Sequence, residues 1–157
     1  AARFEAFVGN GMIEIVKLSD GGLLHFEGLV IGPASETLDD GEAATIAFAA
    51  EAGAVAVIDE SKALRLGARR FPSLHLASTV DVLAHPAVLE ALGEKALADA
   101  VFNALVGARM RVPPQHIPGV VALIGPERAA ECASLPREAR TGNTAGVHNR
   151  RKDAAGR

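Results

Sequence analysis

The chain has 157 residues, 49% apolar and 22% charged, proportions that fit one soluble globular domain and exclude a disordered polymer. With 16 basic and 19 acidic side chains its net charge is −3, which excludes a generally basic nucleic-acid coat and confines any such contact to a local patch. Cys132 is the only cysteine, so there is neither an intrachain disulfide nor a cysteine-built zinc site, and the expected compartment is the cytoplasm.

Residues 2–8 read as a helix closed by Gly9-Asn10-Gly11. Met12 to Leu18 alternates Ile13, Ile15 and Leu18 with charged residues, a strand pattern, and Ser19-Asp20-Gly21-Gly22 reads as a turn. Leu23 to Ile31 is apolar but interrupted by Gly28, which leaves its type open, and Gly32-Pro33 ends it. From Asp39 the pattern predicts a helix over 40–52, with Gly53 at the C-cap position. Ala54 to Ile58 is a continuous apolar run of strand length and is expected to be buried on both faces, with Asp59 closing it. A helix over 60–70 and a short strand over 74–77 follow. This alternation predicts an α/β fold containing a parallel sheet.

Beyond Ser78 the pattern is helical: 79–84, then 86–92 opened by Pro86, then 94–108 with Leu97, Val101, Leu105 and Ala108 on one face. Pro113-Pro114 precedes a short apolar segment, Ile117 to Ile124, and Gly125-Pro126 opens a last helix to Ser134. Residues 135–157 carry six basic and two acidic side chains, with Leu135 and Val147 as their only large apolar residues. They read as a flexible tail of charge +4 that adds little to the core. The body, residues 1–134, then has charge −7. The chain has no tryptophan or tyrosine and 31 alanines, so its core must be built from small and branched aliphatic side chains. No apolar run reaches the roughly 18 residues of a membrane span, and residues 1–30 lack the layout of a secretory signal.

Chemistry is expected at Glu42, which starts a helix, and at Asp59, which ends the following strand, because open α/β sheets gather ligands outside the carboxyl ends of their strands. Two carboxylates converging there would need a hard cation such as Mg²⁺ or Mn²⁺ between them. The competing reading is purely structural. Asp39-x-x-Glu42 fits a capping box, and Asp59 or Ser61 suits the N-cap of the next helix. Lys62, Arg65, Arg69 and Arg70 follow Asp59, with Arg65 and Arg69 at helical spacing, so they are candidates for a phosphate backbone or simply a solvated face. The five histidines show no metal-ligand spacing, and Cys132 lies among alanines with no base to activate it.

The stretch LDDGEAATIAFAAEAGAVAVIDESKALRLGARR, with ASTVDVL and ALADAVFNALVGARMRVPP after it, resembles the later part of PIN-domain proteins, the VapC-like ribonuclease toxins. The most specific element is the G-E-A-x-x-I-A-x-A helix followed by an aspartate at a strand end, seventeen residues after the glutamate. The resemblance implies a three-layer α/β/α sandwich with a mainly parallel sheet, over a domain of residues 1–134. It implies Mg²⁺- or Mn²⁺-dependent endoribonuclease activity, an RNA substrate, a cognate antitoxin partner and a homodimer. In such proteins four acids gather at one end of the sheet. Glu42 matches the acid of the GEA helix and Asp59 the acid after the later strand. Glu60 matches a secondary acid, and Thr79 matches a position where a hydroxyl is frequent. The family's opening strand ending in aspartate, and its further helical glutamate, have no counterpart in this chain, so the resemblance also implies an incomplete N-terminus. A non-catalytic PIN-like module that binds protein or RNA is the alternative. A small-molecule α/β enzyme is a third reading.

Overall fold

The computed structural model describes residues 2–142. It is mainly helical and carries a two-stranded parallel sheet. The chain divides into two compact units, one of residues 1–56 and 65–75, the other of residues 57–64 and 76 onward; the division runs through both strands and the helix that joins them. No described helix is long and apolar enough to cross a membrane.

In the first unit, α1 (Ala2–Gly9) precedes α2 (Asp20–Val30) and α3 (Asp40–Ala52). The segment 12–18, expected as a strand, has no strand structure, and Ile13, Ile15 and Val16 are exposed. Alternating side chains favour extended backbone, but a strand exists only where a neighbour takes its N–H and C=O groups. The turn expected at residues 19–22 is instead the start of α2: Ser19 is its N-cap, and its Oγ accepts from the Gly22 N–H at 3.2 Å. The two glycines tolerated in that first turn have a packing reason. A Cβ on Gly22 would lie 2.9 Å from the Glu51 carboxylate of α3 and 3.3 Å from the Leu18 side chain. Glycine here admits Glu51, whose Oε1 accepts from the Ser19 hydroxyl.

The open question at Leu23 to Ile31 is thereby answered as helix. Leu29 of α2 is wholly buried, as are Ala43, Ile46 and Ala47 of α3, so a large aliphatic packs among alanines. The connection between α2 and α3 is held by Arg70, whose guanidinium donates to the Gly28 and Glu36 carbonyls, the latter at 2.9 Å. At its far end α3 stops as predicted: Gly53 is left-handed, with φ 63°, and its N–H caps the Ala49 carbonyl.

The sheet is a β-α-β arrangement of β1 (Val55–Val57), α4 (Ser61–Arg70) and β2 (His75–Ala77). Burial of β1 on both faces, expected from its composition, does not hold. Ala56 is fully buried, whereas Val55 and Val57 are 56% and 43% exposed. Successive side chains of a strand point to opposite faces, so the valines share one face, and that face lacks the cover normal for a parallel strand.

The second unit continues with α5 (Thr79–Leu83) and α6 (Pro86–Gly107). The latter is two helices joined at Gly93, whose φ of 74° and ψ of 159° are non-helical, in agreement with the break read at that point. A single 3₁₀ turn at Pro114–His116 leads into α7 (Ile117–Ile124) and α8 (Pro126–Glu131), the last ending three residues short of expectation. The short apolar segment is therefore a helix. Its Val120 and Ile124 join Leu97, Val101, Leu105, Met110 and Cys132 in one core.

That core also contains Leu135, 2% exposed, and Ala139, 4% exposed, on α9 (Arg137–Arg140). The expectation that everything from residue 135 is tail is thus corrected for 135–140; residues 143–157 lie outside the described residues. Leu135 and Ala139 dock this segment by joining the apolar cluster already formed by the other helices. Leu135→Ala is accordingly expected to destabilise the protein by about 2–4 kcal/mol. Urea unfolding measures this, and an unchanged midpoint would show that the segment contributes nothing to stability.

Candidate functional site

Asp59 follows β1 and Thr79 follows β2, so both stand just beyond the carboxyl ends of adjacent parallel strands. There the two residues meet. Asp59 Oδ1 accepts from the Thr79 backbone N–H at 2.7 Å, and Oδ2 accepts from the Thr79 hydroxyl, also at 2.7 Å. The adjacent backbone pairing is regular, with the Ile58 N–H donating to the Ala77 carbonyl at 2.8 Å. Asp59 is half-buried and fixed by two bonds at the first residue of α5, one of the orphan amides at a helix start.

The cap of α4 differs from expectation, and at α3 the Asp39 side-chain half of the capping box is not made. Asp39 occupies the N-cap position of α3, but its side chain makes no capping bond. The amide of Ala63 in α4 is satisfied by Glu60, whose Oε2 accepts at 2.7 Å; neither Asp59 nor Ser61 does this. Glu60 thus serves α4 with one oxygen, while the other lies 3.9 Å from Arg111. Glu42 is half-buried in the first turn of α3 and belongs to the first unit, whereas Asp59, Glu60 and Thr79 belong to the second.

The basic candidates are dispersed in role. Lys62 is half-buried on α4, and Arg65 is exposed. Arg69 is exposed and pairs with Glu36 at 3.5 Å, and Arg70 is committed to the α2–α3 connection. Among the histidines, His85 caps α6 by accepting from the Ala87 N–H at 3.3 Å, and His25 meets Phe71 edge-on at 5.1 Å. Cys132 is buried, and desolvation, with the nearby Glu131 charge, pushes its thiol above the ordinary range. It packs as expected, with its Sγ 3.2 Å from the Arg128 carbonyl.

One constellation went unread in the sequence. Ser78, 2% exposed, is the N-cap of α5: its Oγ accepts from the Asp81 N–H at 3.2 Å, and Asp81 Oδ2 accepts in return from the Ser78 N–H at 2.7 Å and its hydroxyl at 2.6 Å. This is a complete capping box. Its sequence signal, Ser-x-x-Asp, was present but shares residues with the Thr79 match. The other oxygen of Asp81 lies 2.8 Å from His116 Nε2. A serine, an aspartate and a histidine are joined here with the carboxylate in the middle. A hydrolase triad needs the imidazole between the other two, so this chain of bonds positions α5 and does not activate Ser78.

A metal can be tested against the donors. Each oxygen of Asp59 accepts one bond from Thr79, and a carboxylate has about four acceptor positions, so half of its capacity is open. Among the described residues no group of three or more His, Cys, Asp or Glu side chains is placed to hold a metal ion. Mg²⁺ is commonly held by one or two carboxylates with water and substrate phosphate completing the shell. The donors at Asp59 fit that mode and not an all-protein cage.

The bonds from Ser78, first from its hydroxyl and then from its amide, hold the Asp81 carboxyl below the usual carboxylate range, with a smaller contribution from His116. Its folded value lies below its unfolded one, so ionised Asp81 adds stability above about pH 4 that is lost as pH falls through the folded value. Asp81→Asn is expected to flatten the acid limb of stability against pH below about pH 4, read by urea unfolding between about pH 2.5 and 5. An unaltered acid limb would remove the capping box from the account of acid sensitivity.

Compared with known protein families, with curated proteins and with solved structures, the chain matches none.

Proposed function

We propose that this chain is a PIN-like, Mg²⁺- or Mn²⁺-dependent endoribonuclease whose metal end is the edge formed by Asp59 and Thr79. The observation that carries the reading is the doubly held Asp59 carboxylate at the carboxyl ends of two parallel strands. The resemblance supplies the rest: the three-layer α/β/α architecture, Glu42 as a further metal acid, Lys62, Arg65 and Arg69 as RNA contacts, and an antitoxin and a second copy of the chain as partners.

In this reading Thr79 acts through Asp59. Its amide and hydroxyl fix the rotation of the carboxylate, as supporting bonds around a ligand carboxylate do, and leave acceptor capacity on both oxygens. Asp59 would then hold a hydrated Mg²⁺ or Mn²⁺, which when bound offsets charge on a phosphodiester and makes a coordinated water more acidic. Glu60 is tied to α4 through one oxygen, which leaves it a weaker candidate for direct ligation.

A second reading, a non-catalytic PIN-like module, is favoured by the absence of a three-ligand group among the described residues. Cleavage of single-stranded RNA, followed with Mn²⁺ and with EDTA, separates the two. The nuclease reading expects metal-dependent cleavage, lost in Asp59→Asn and in Glu42→Gln, and reduced about 10- to 100-fold in Thr79→Val. Asparagine retains an oxygen for the Thr79 amide, so the fold is expected to survive while the charge is gone. RNA binding without cleavage, or undiminished cleavage by Asp59→Asn, would replace the nuclease with the binding module.

A further inference from the structure

The loop after α6 carries two arginines, Arg109 and Arg111, on either side of Met110, which is buried at 6% exposure. Met110 anchors the loop: its side chain joins the core cluster, and its N–H donates to the Ala104 carbonyl at 3.0 Å, closing the end of α6. Arg109, the residue just before it, has φ 52°, the only positive φ outside glycine among the described residues. A helix ends most easily with glycine at such a position, so an arginine there carries a conformational cost that glycine avoids. A cation near a helix C-terminus meets the negative end of the helix dipole, which favours Arg109. That argument does not reach Arg111, further from the helix end.

Both guanidiniums remain available. Arg109 has no ion pair among the described residues. Arg111 lies 3.9 Å from Glu60, with the two side chains 67% and 37% exposed, a pairing that solvent renders weak. The arginines line one open cleft of about 680 Å³, with Ser134 and the apolar Leu105 and Val106 beside them. Glu131 is the one acid in its lining. The contact of Arg111 with Glu60 places this cleft next to the residue that follows Asp59 in sequence, within the same unit.

We infer that the Arg109–Arg111 cleft binds the phosphodiester backbone of single-stranded RNA beside the Asp59–Thr79 edge. An arginine fork presents two N–H groups that match phosphate oxygens. In a chain with more acids than bases, exposed cations decide locally where a polyanion can approach, and Arg109, with no ion pair among the described residues, and Arg111, weakly paired with Glu60, line one such place together. The exposed Val106, 51% accessible, gives a small apolar surface to a nucleotide face without reading its sequence. What happens to the bound strand rests on the ribonuclease reading; the binding itself does not.

The test is binding of fluorescein-labelled oligouridine to the full chain in EDTA, followed by anisotropy across salt concentrations, which needs no metal. Arg109→Asn suits the left-handed backbone while removing the charge, and Arg111→Gln changes charge at an ordinary backbone position. Together they are expected to weaken binding about tenfold and to lower the slope of log affinity against log salt by about 1.4. Glu131→Gln, which removes the opposing charge, is expected to tighten binding. Lys95→Gln, an exposed charge change elsewhere on α6, is the control and is expected to stay within about twofold of the parent. If the double variant binds as the parent does, or if the parent does not bind the strand at all, the cleft is not an RNA site. Arginine-dependent binding without Mn²⁺-dependent cleavage would overturn the nuclease while leaving the cleft in place. Should Arg109→Asn fail to fold by circular dichroism, Arg111→Gln and Glu131→Gln alone, moving in opposite directions, decide the matter.

Discussion

The junction between the sheet and α5 turns on one carboxylate. By accepting the amide and the hydroxyl of Thr79, Asp59 ties the end of β1 to the start of α5, which begins immediately after β2. The strands are only three residues each, so backbone pairing alone gives them few bonds. A short parallel pair is weak by itself, and the charge-assisted bonds at its end supplement the ladder where strands would otherwise fray. Ser78 and Asp81 then complete the start of the same helix, so the residues from 78 to 81 leave few of its early donors unsatisfied. The same bonds that stabilise this junction also set the direction in which the free side of Asp59 faces.

The first unit solves a different problem with the same economy of side-chain size. Alanines at 43, 47 and 49 allow α2 and α3 to approach, and Ile46 and Leu29 supply the bulk between them. At the start of α2 a Cβ on Gly21 or Gly22 would meet the Glu51 carboxylate, which would have to swing aside. Arginine completes the arrangement from a distance in sequence. Arg70 donates to the carbonyls at 28 and 36, groups that the end of α2 and the loop after it leave without helical partners.

How much of this was legible depended on whether a signal was local. The helix over 40–52 and its Gly53 cap were readable because capping and periodicity are written within one segment, and the break at Gly93 was readable for the same reason. The alternation at Met12 to Leu18 misled because a strand depends on a partner elsewhere, and Ser19 to Gly22 misled because glycines that serve close packing look like glycines that serve a turn. Leu135 and Ala139 were missed because two apolar residues in a charged stretch carry no periodic signal, although their burial is complete in the fold. At the site, the pairing of Asp59 with Thr79 joins residues twenty apart, and no local signal in the sequence suggested it; Thr79 was singled out only by the resemblance. The basic candidates on α4 were chosen by spacing, which cannot reveal that Arg69 and Arg70 are engaged by Glu36 and by backbone carbonyls.

Arg109 and Arg111 show the converse, cations whose availability is visible only in three dimensions. In sequence they flank a methionine in a helix-terminal stretch and look like one more solvated face. The fold draws Met110 into the core and so turns its neighbours outward, and it sets Arg109 in a backbone conformation that arginine occupies reluctantly. Arg109 costs the fold something and has no ion pair among the described residues, and Arg111 is only weakly paired with Glu60, in contrast to Arg128, which meets Asp99 at 2.6 Å. Arginines that hold the structure together are already bonded, so the charge left over for an external anion is concentrated in those the structure does not use. In a chain whose acidic residues outnumber its basic ones, the placement of exposed guanidiniums that are unpaired or weakly paired, more than the net charge, determines which surface a phosphate can reach.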